Sequence, residues 1–405
     1  MMKGSEVMTL NDTPSANRIH IGIFGKRNSG KSSLLNAFVG QDISIVSNEP
    51  GTTTDPVYKP MEIHGLGPCV LIDTAGFDDV GSLGESRVNK SRLAIDKSDI
   101  ALMVVDNEDI EPELEWYRLL KEANTPVVAV ISKADERSED ETGALTAIVK
   151  KAMSVSPIII SSKSHLGIDE LKEAMLRALP EEVTAISITG GLVSEGDSVL
   201  LVMPQDIQAP KGRLILPQVQ TLRELLDKKC LVMSCTTDKL DEALSTLKKS
   251  PKLIVTDSQV FDIVYEKKPA DSMLTSFSVL FAAYKGDIDY YVKSAESIAT
   301  LNEQSHVLIA ECCTHAPLSE DIGREKIPCM LRKKYGESMD IQIVSGTDFP
   351  KDLSGYDLII QCGACMFNRK YVMSRIDSAK DQGVPMTNYG ITIAYLKGIL
   401  DKIEL

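Results

Sequence analysis

The chain has 405 residues, 43% of them hydrophobic and 25% charged, which is ample for two or three buried cores and excludes disorder beyond the ends. A formal net charge of -14 argues against generic nucleic-acid binding, which needs dense Lys and Arg to displace counterions from phosphates. Apolar runs such as Ile100 to Val105 and Val127 to Ile131 fall far short of the roughly 20 residues a membrane helix requires, so no membrane role is expected.

Residues 1–17 mix Lys3, Glu6 and Asp12 with small polar residues, without the apolar core of a secretory signal or the Arg-rich pattern of a transit peptide. A short lead-in and a cytoplasmic protein are expected. Ile19, Ile21 and Ile23 then alternate as a strand would and run into Gly25-Lys26-Arg27-Asn28-Ser29-Gly30-Lys31-Ser32, a GxxxxGKS phosphate loop. Its glycines let backbone N–H groups turn inward around phosphates, Lys31 adds a cation for the β/γ oxygens, and the Ser32 hydroxyl is placed for Mg²⁺. Gly25, Asn28, Ser29, Gly30 and Ser33 complete the cradle, and Leu34, Leu35 and Phe38 give the following helix an apolar face.

Downstream, a strand at Val70 to Ile72 ends in Asp73-Thr74-Ala75-Gly76, where Asp73 reaches the magnesium through water and the Gly76 amide senses the γ-phosphate. In the intervening Gly51-Thr52-Thr53-Thr54-Asp55, Thr53 is placed to close over the metal when triphosphate is bound. Strands at Val127 to Ile131 and Ile158 to Ile160 lead into Ser132-Lys133-Ala134-Asp135 and Ser161-Ser162-Lys163. Both segments resemble the base-reading elements of translation-factor-type GTPases. The usual NKxD is SKAD here, so a hydroxyl replaces the bracing amide, while Asp135 keeps the carboxylate that accepts both guanine N–H donors. Losing one bracing hydrogen bond costs about 0.5 to 1.5 kcal/mol, less than a buried carboxylate mismatched against adenine, so GTP is expected over ATP. Phe77 stands where a water-orienting Gln would, so hydrolysis is expected to be slow. Asn28 and the GTTTD segment resemble the potassium-stimulated GTPases of tRNA modification and ribosome assembly, which implies a K⁺ beside the phosphates held partly by Asn28.

After Pro180 the pattern restarts: an apolar strand at Val199 to Val202, a helix with Val219, Leu222, Leu225 and Leu226 on one face, then strands at Cys230 to Val232 and Leu253 to Val255. This middle segment carries no catalytic cluster, Cys230 and Cys235 read as core, and a dimerisation module is the expectation. Lys267-Lys268-Pro269 marks its end. The architecture expected is α/β throughout: a P-loop GTPase domain over residues 18–180, followed by two smaller α/β domains with parallel sheets over 181–268 and 269–405.

Eight Cys scattered over so long a chain do not make a disulfide framework and read as reduced thiols. Near the C-terminus, a strand at His306 to Ala310 ends in Glu311-Cys312-Cys313-Thr314-His315, and a strand at Leu358 to Ile360 ends in Gln361-Cys362-Gly363-Ala364-Cys365. Ligands bind at the carboxyl ends of strands in open parallel sheets, so both clusters are expected at one crevice. A helix starting near Asn368 would aim its N–H dipoles at an anionic group there. Cys313, His315, Cys362 and Cys365 suit a closed Cys₃His zinc site; the three Cys alone suit a [4Fe-4S] cluster with one exchangeable position. Spacing does not decide between the two, although a bare redox dithiol would not need Cys313. Arg324, Lys326 and Arg369 are candidates to balance an anionic centre.

The order of P-loop domain, α/β middle, CTH, Asp321 to Pro328 (DIGREKIP) and Cys362 to Arg369 (CGACMFNR) resembles the [FeFe]-hydrogenase maturation GTPases along essentially the whole chain. The resemblance implies a [4Fe-4S] cluster on Cys313, Cys362 and Cys365 and a scaffold that delivers a diiron precursor to apo-hydrogenase. It also implies a homodimer, with the hydrogenase and two radical-SAM maturases as transient partners. Its pattern is CxH, a long spacer, then HCxxC, and the His before CxxC is Gln361 here, a poor iron ligand. Water, His315, Glu311 or the incoming precursor would then fill the fourth position, and Cys312 is an extra thiol beside Cys313. Cys69 and Cys329 are expected to pack as hydrophobes. The competing reading is a tRNA-modification or ribosome-assembly GTPase with a structural zinc tail.

Overall fold

The computed structural model describes residues 14–39, 57–63, 65–74, 76, 91–180, 187–204, 214–312 and 321–405. The chain divides into two compact units, Met1–Ala185 and Ile186–Leu405.

The first unit is built on six strands, β1 (Ile19–Phe24), β2 (Val57–Ile63), β3 (Gly67–Asp73), β4 (Ile100–Val105), β5 (Val127–Ile131) and β6 (Ile158–Ile159). They lie in the order β2-β3-β1-β4-β5-β6, parallel except for the antiparallel β2/β3 pair at one edge. Every residue of β4 is buried, as a central parallel strand covered on both faces should be. Its side chains alternate between two cores: Ile100, Leu102 and Val104 pack with Leu34, Leu35 and Phe38, whereas Ala101, Met103 and Val105 pack with Trp116, Leu120 and Leu145. Helices therefore cover both faces, the arrangement that a run of βα units imposes.

The second unit holds two four-stranded sheets, all parallel. One contains β7 (Ser198–Val202), β8 (Leu231–Cys235), β9 (Leu253–Thr256) and β10 (Met273–Ser276) in the order β10-β9-β7-β8. The other contains β11 (His306–Ala310), β12 (Asp340–Val344), β13 (Leu358–Gln361) and β14 (Met386–Asn388) in the order β12-β11-β13-β14. The two share one hydrophobic core, in which Leu200, Val202, Ile254 and Leu274 join Val307, Leu308, Ile359 and Ile360. The helix Phe277–Lys285 leaves β10 and packs against the helices Arg369–Asp381 and Tyr389–Leu396. At the chain end, Glu404 N donates to Leu274 O at 2.8 Å and Thr275 Oγ1 donates to Glu404 O at 2.7 Å, so the last residues bond to β10, the end strand of its sheet.

In each sheet the first strand in sequence has neighbours on both sides, and connections leave it in opposite directions. That is the switch point at which an open parallel sheet leaves a crevice beyond its strand ends. No described helix is long and apolar enough to cross a membrane.

Candidate functional site

The loop after β1 carries the first site. Gly25 has φ +156°, and a Cβ there would lie 2.6 Å from the carbonyl oxygen of Val104, so only glycine lets β1 turn out of the sheet against β4. The helix Lys31–Val39 starts directly after it. Lys31, 7% exposed, donates its ammonium protons to the carbonyls of Gly25 at 2.8 Å and Lys26 at 2.6 Å, folding its cation into the loop it serves. Ser32 Oγ lies 3.3 Å from Asp73 Oδ2, so the two oxygens expected at one magnesium ion meet in space 41 residues apart in sequence. Burial raises the Asp73 carboxyl above its ordinary range while Lys31 and the Ser32 hydroxyl pull it back down, a balance that a divalent cation would tip toward the carboxylate. A Cβ at Gly76 would sit 2.6 Å from the backbone nitrogen of Arg27, which puts the Gly76 backbone against the phosphate loop. These residues fit Mg²⁺ and a nucleotide phosphate chain. Asn28 and Ser33 are exposed on the same loop and first helical turn, Asn28 with φ 61°. Thr53 and Phe77 lie outside the described residues.

The loops expected to read the base follow β5 and β6. Ser132 Oγ donates to Ser29 O at 2.6 Å, so the hydroxyl does brace the phosphate loop as the replaced amide would. Lys133 adopts a left-handed backbone, φ 56°, and its ammonium pairs with Asp106 at 2.8 Å. Asp135 Oδ1 accepts from Ser161 Oγ at 2.6 Å, a bond that lowers the Asp135 pKa and joins the two loops, with Ser162 and Lys163 in the turn beyond. A charged, oriented carboxylate at this place suits a ligand edge with two N–H donors.

The second site lies at the switch point of the β12-β11-β13-β14 sheet. Cys362 N donates to Ala310 O at 3.0 Å, and Cys312 N donates to Cys362 Sγ at 3.1 Å. The end of β11 and the Cys362-Gly363-Ala364-Cys365 loop therefore share one crevice, as their positions in the sequence suggest. Ala364 takes φ 50°, and Asn368 caps the helix Arg369–Asp381 by accepting from Tyr371 N. A hydrogen bond from the Cys312 thiol lowers the Cys362 thiol pKa against the opposing effect of burial, and burial pushes the Cys312 thiol up. Cys313 and His315 lie outside the described residues. Among the described residues, no group of three or more His, Cys, Asp or Glu side chains is placed to hold a metal ion.

The structure reassigns the cations expected at this crevice. Arg324 donates to Glu311 Oε2, Nε at 3.0 Å, with NH2 2.8 Å away and Ser345 Oγ also on that oxygen. Lys326 bonds Gln259, and Arg369 caps the end of the helix Phe277–Lys285 through Tyr284 O at 3.1 Å and Gly286 O at 2.9 Å. A cation that donates directly to the loop's backbone is Lys285, 2% exposed, bonded to Ala364 O at 3.0 Å, Cys365 O at 3.4 Å and Phe367 O at 2.7 Å. Burial pulls its pKa down to about 8 while the thiols of Cys365, Cys312 and Cys362 pull it up. The sequence hid it as the polar end of FSVLFAAYK, an otherwise apolar helix; its one signal was a lysine on a helix buried all round. Gln361 is fully buried, and among the described residues neither its amide oxygen nor its nitrogen has a partner. Cys69 and Cys230 are buried as expected, but Cys329 is exposed, on the helix Ile327–Tyr335.

Three family models match the chain in succession: the 50S ribosome-binding GTPase over residues 20–133, the hydrogen maturase F dimerization domain over 188–286 and the hydrogen maturase F tetramerization domain over 289–404. GTPase Der of Geotalea daltonii is 33% identical over 183 residues, covering 42% of this chain and 40% of that protein. The tRNA modification GTPase MnmE of Synechococcus elongatus is 33% identical over 167 residues, 39% of this chain and 35% of that protein. The chain thus spans well under half the length of the curated relatives it matches. Among solved structures, Aquifex aeolicus Era bound to GDP and AlF4 aligns at 22% identity and TM-score 0.34, covering 56% of this chain and 98% of that one. The G domain of the Thermotoga maritima FeoB transporter aligns at 22% identity and TM-score 0.31, covering 40% of this chain and 99% of that one.

Proposed function

Because this chain belongs to the hydrogen maturase F family, two of whose domains fill residues 188–404, we propose that it is a GTPase whose nucleotide state regulates an iron-sulfur scaffold in [FeFe]-hydrogenase maturation. In this reading it hydrolyses GTP to GDP and phosphate and holds a [4Fe-4S] cluster that takes part in delivering a diiron precursor to apo-hydrogenase. The observation that carries the reading is the 3.1 Å bond from Cys312 N to Cys362 Sγ, which brings the chain within one residue of Cys313 to the CxxC loop.

The nucleotide chemistry follows from positions already given. The amides of Gly25 to Ser32 wrap the phosphates, and Lys31 neutralises the β/γ oxygens. Ser32, Asp73 and Thr53 would hold Mg²⁺, whose charge offsets the negative charge that develops on the transferred phosphoryl group. The Gly76 amide reports the γ-phosphate, Asp135 reads guanine, and Lys133, Ser161, Ser162 and Lys163 shape the base pocket. Asn28 helps to seat K⁺, so turnover in K⁺ exceeds that in Na⁺; equal rates would remove Asn28 from this role.

Cys313, Cys362 and Cys365 would hold the cluster, which supplies an iron with one exchangeable position. Glu311, His315, water or the incoming precursor fills that position. For Glu311, the grip of Arg324 and Ser345 on Oε2 makes Oε1 the donor. The protein works in the cytoplasm without nucleic acid or membrane, as a homodimer able to assemble further, with the hydrogenase and the radical-SAM maturases as transient partners. The names of the two matched domains support the self-association. A role in tRNA modification or ribosome assembly with a zinc tail is not favoured, because its support ends with the N-terminal match.

Anaerobic purification with iron and zinc analysis and EPR tests the reading. About four irons per chain and their loss in Cys362→Ala are expected; one zinc, no iron and unimpaired hydrogenase activation by the variant would overturn it.

A further inference from the structure

The Lys285 ammonium is buried against the CxxC loop, and no carboxylate pairs with it among the described residues. A buried unpaired charge is costly, and three backbone carbonyls supply dipoles rather than the missing counter-charge. Of the neighbouring cations, Arg324 is on Glu311, Arg369 is on the end of the helix that carries Lys285, and buried Arg375 stacks on Phe367 and bonds Gly346 O. The support of Lys285 is rigid, since the helix Phe277–Lys285 is capped by Ser276 at one end and gripped by Arg369 at the other. The carbonyls of Ala364, Cys365 and Phe367 turn toward the lysine, and Ala364, the first of them, holds a left-handed backbone.

We propose that Lys285 is the positioning residue of the Cys362–Cys365 loop and the fixed counter-charge of the anionic centre bound there. Its three hydrogen bonds set the loop before loading, and its charge favours the more negative, reduced state of that centre. The proposal rests on the iron-sulfur reading. It also assigns a function to a residue inside the dimerization-domain match that reaches a loop inside the tetramerization-domain match.

The test uses the full chain, loaded anaerobically with ferrous iron and sulfide, in three forms: parent, Lys285→Met and Lys285→Gln. Gln keeps N–H donors for the carbonyls without the charge; Met keeps neither. Circular dichroism reports folding, iron analysis reports affinity, and an EPR-monitored titration reports the midpoint potential. Lys285→Met is expected to lose iron affinity roughly 10-fold to 100-fold, as when a group that orients metal ligands is removed. Lys285→Gln is expected to hold iron better than Lys285→Met and to show a midpoint displaced to more negative potential. If Lys285→Met does not fold, the midpoint of Lys285→Gln decides alone. A parent that loads while Lys285→Gln matches its midpoint overturns the proposal and spares the iron-sulfur reading; a parent that holds no iron overturns both.

Discussion

Ser132 Oγ donates to Ser29 O at 2.6 Å and so ties the loop after β5 to the loop after β1. One neutral hydrogen bond is worth about 0.5 to 1.5 kcal/mol, or roughly a 2-fold to 10-fold change in an equilibrium constant. Ser132→Ala should weaken GTP binding by that factor in a fluorescent-nucleotide titration and leave the preference over ATP intact, since Asp135 is untouched. Comparable loss of discrimination would mean that the hydroxyl, not the carboxylate, selects the base.

Lys26 and Glu113 form a buried pair in the first unit. The ammonium is 3.6 Å from Glu113 Oε2, bonds Asn107 Oδ1 at 2.9 Å and reaches Asp109 O; the Glu113 carboxyl is fully buried and its pKa is raised by that burial. Removing one partner of such a pair costs about 3 to 5 kcal/mol, because the remaining charge is left without compensation. Lys26→Met should destabilise the first unit by that amount in urea unfolding, and adding Glu113→Gln should recover most of the loss. No recovery would place the cost in the phosphate loop instead.

Glu224 gives the second unit a pH dependence. Its carboxylate accepts from Ser187 Oγ at 2.9 Å and from Thr189 N and Oγ1 at 2.8 and 2.6 Å, and these bonds outweigh burial, so its pKa falls below the ordinary 4.5. The unfolded chain takes up this proton first, so the stabilisation is complete above pH 4.5 and is lost as pH falls through the lower, folded value. Glu224→Gln should cost about 1 to 3 kcal/mol near neutrality, with the gap to the parent closing below pH 4.5. A gap that stays constant with pH would show that the amide loses shape rather than charge.

Gln361, fully buried beside Cys362, carries two polar atoms without partners among the described residues. Replacing an unsatisfied buried amide with an apolar side chain of similar size is neutral or stabilising, so Gln361→Leu should raise the metal-free chain's stability by about 1 kcal/mol. A loss of stability in denaturant unfolding would mean that the amide is paired in solution.

Hydrophobic runs and loop motifs made much of this legible in the sequence. β4 reads as a buried parallel strand because Ile100 to Val105 is apolar without interruption, and Gly25 to Ser32 is diagnostic because cradling phosphates leaves few residue choices. The convergence of Glu311 and Cys362 was readable for a related reason: two apolar strands ending in chemistry-bearing residues belong at the same sheet edge. Partner choice among cations was not readable. Arg324, Lys326 and Arg369 stand close to the cysteine motifs in sequence, yet each has a structural partner, while Lys285 arrives from 77 residues before Cys362 through packing that leaves no local trace. Cys329 was misjudged because a single helix position has no periodicity of its own; it lies on the solvent side.

The shared core of the second unit bears on how such a chain can change over time. The lysine that grips the cysteine loop is encoded in a different matched segment from the cysteines it serves. Exchange of the last segment for another, by recombination or in the laboratory, would separate a buried ammonium from the three carbonyls that receive it. The seam between the two segments is therefore a poor place to cut, and the lineage is expected to inherit them as one piece.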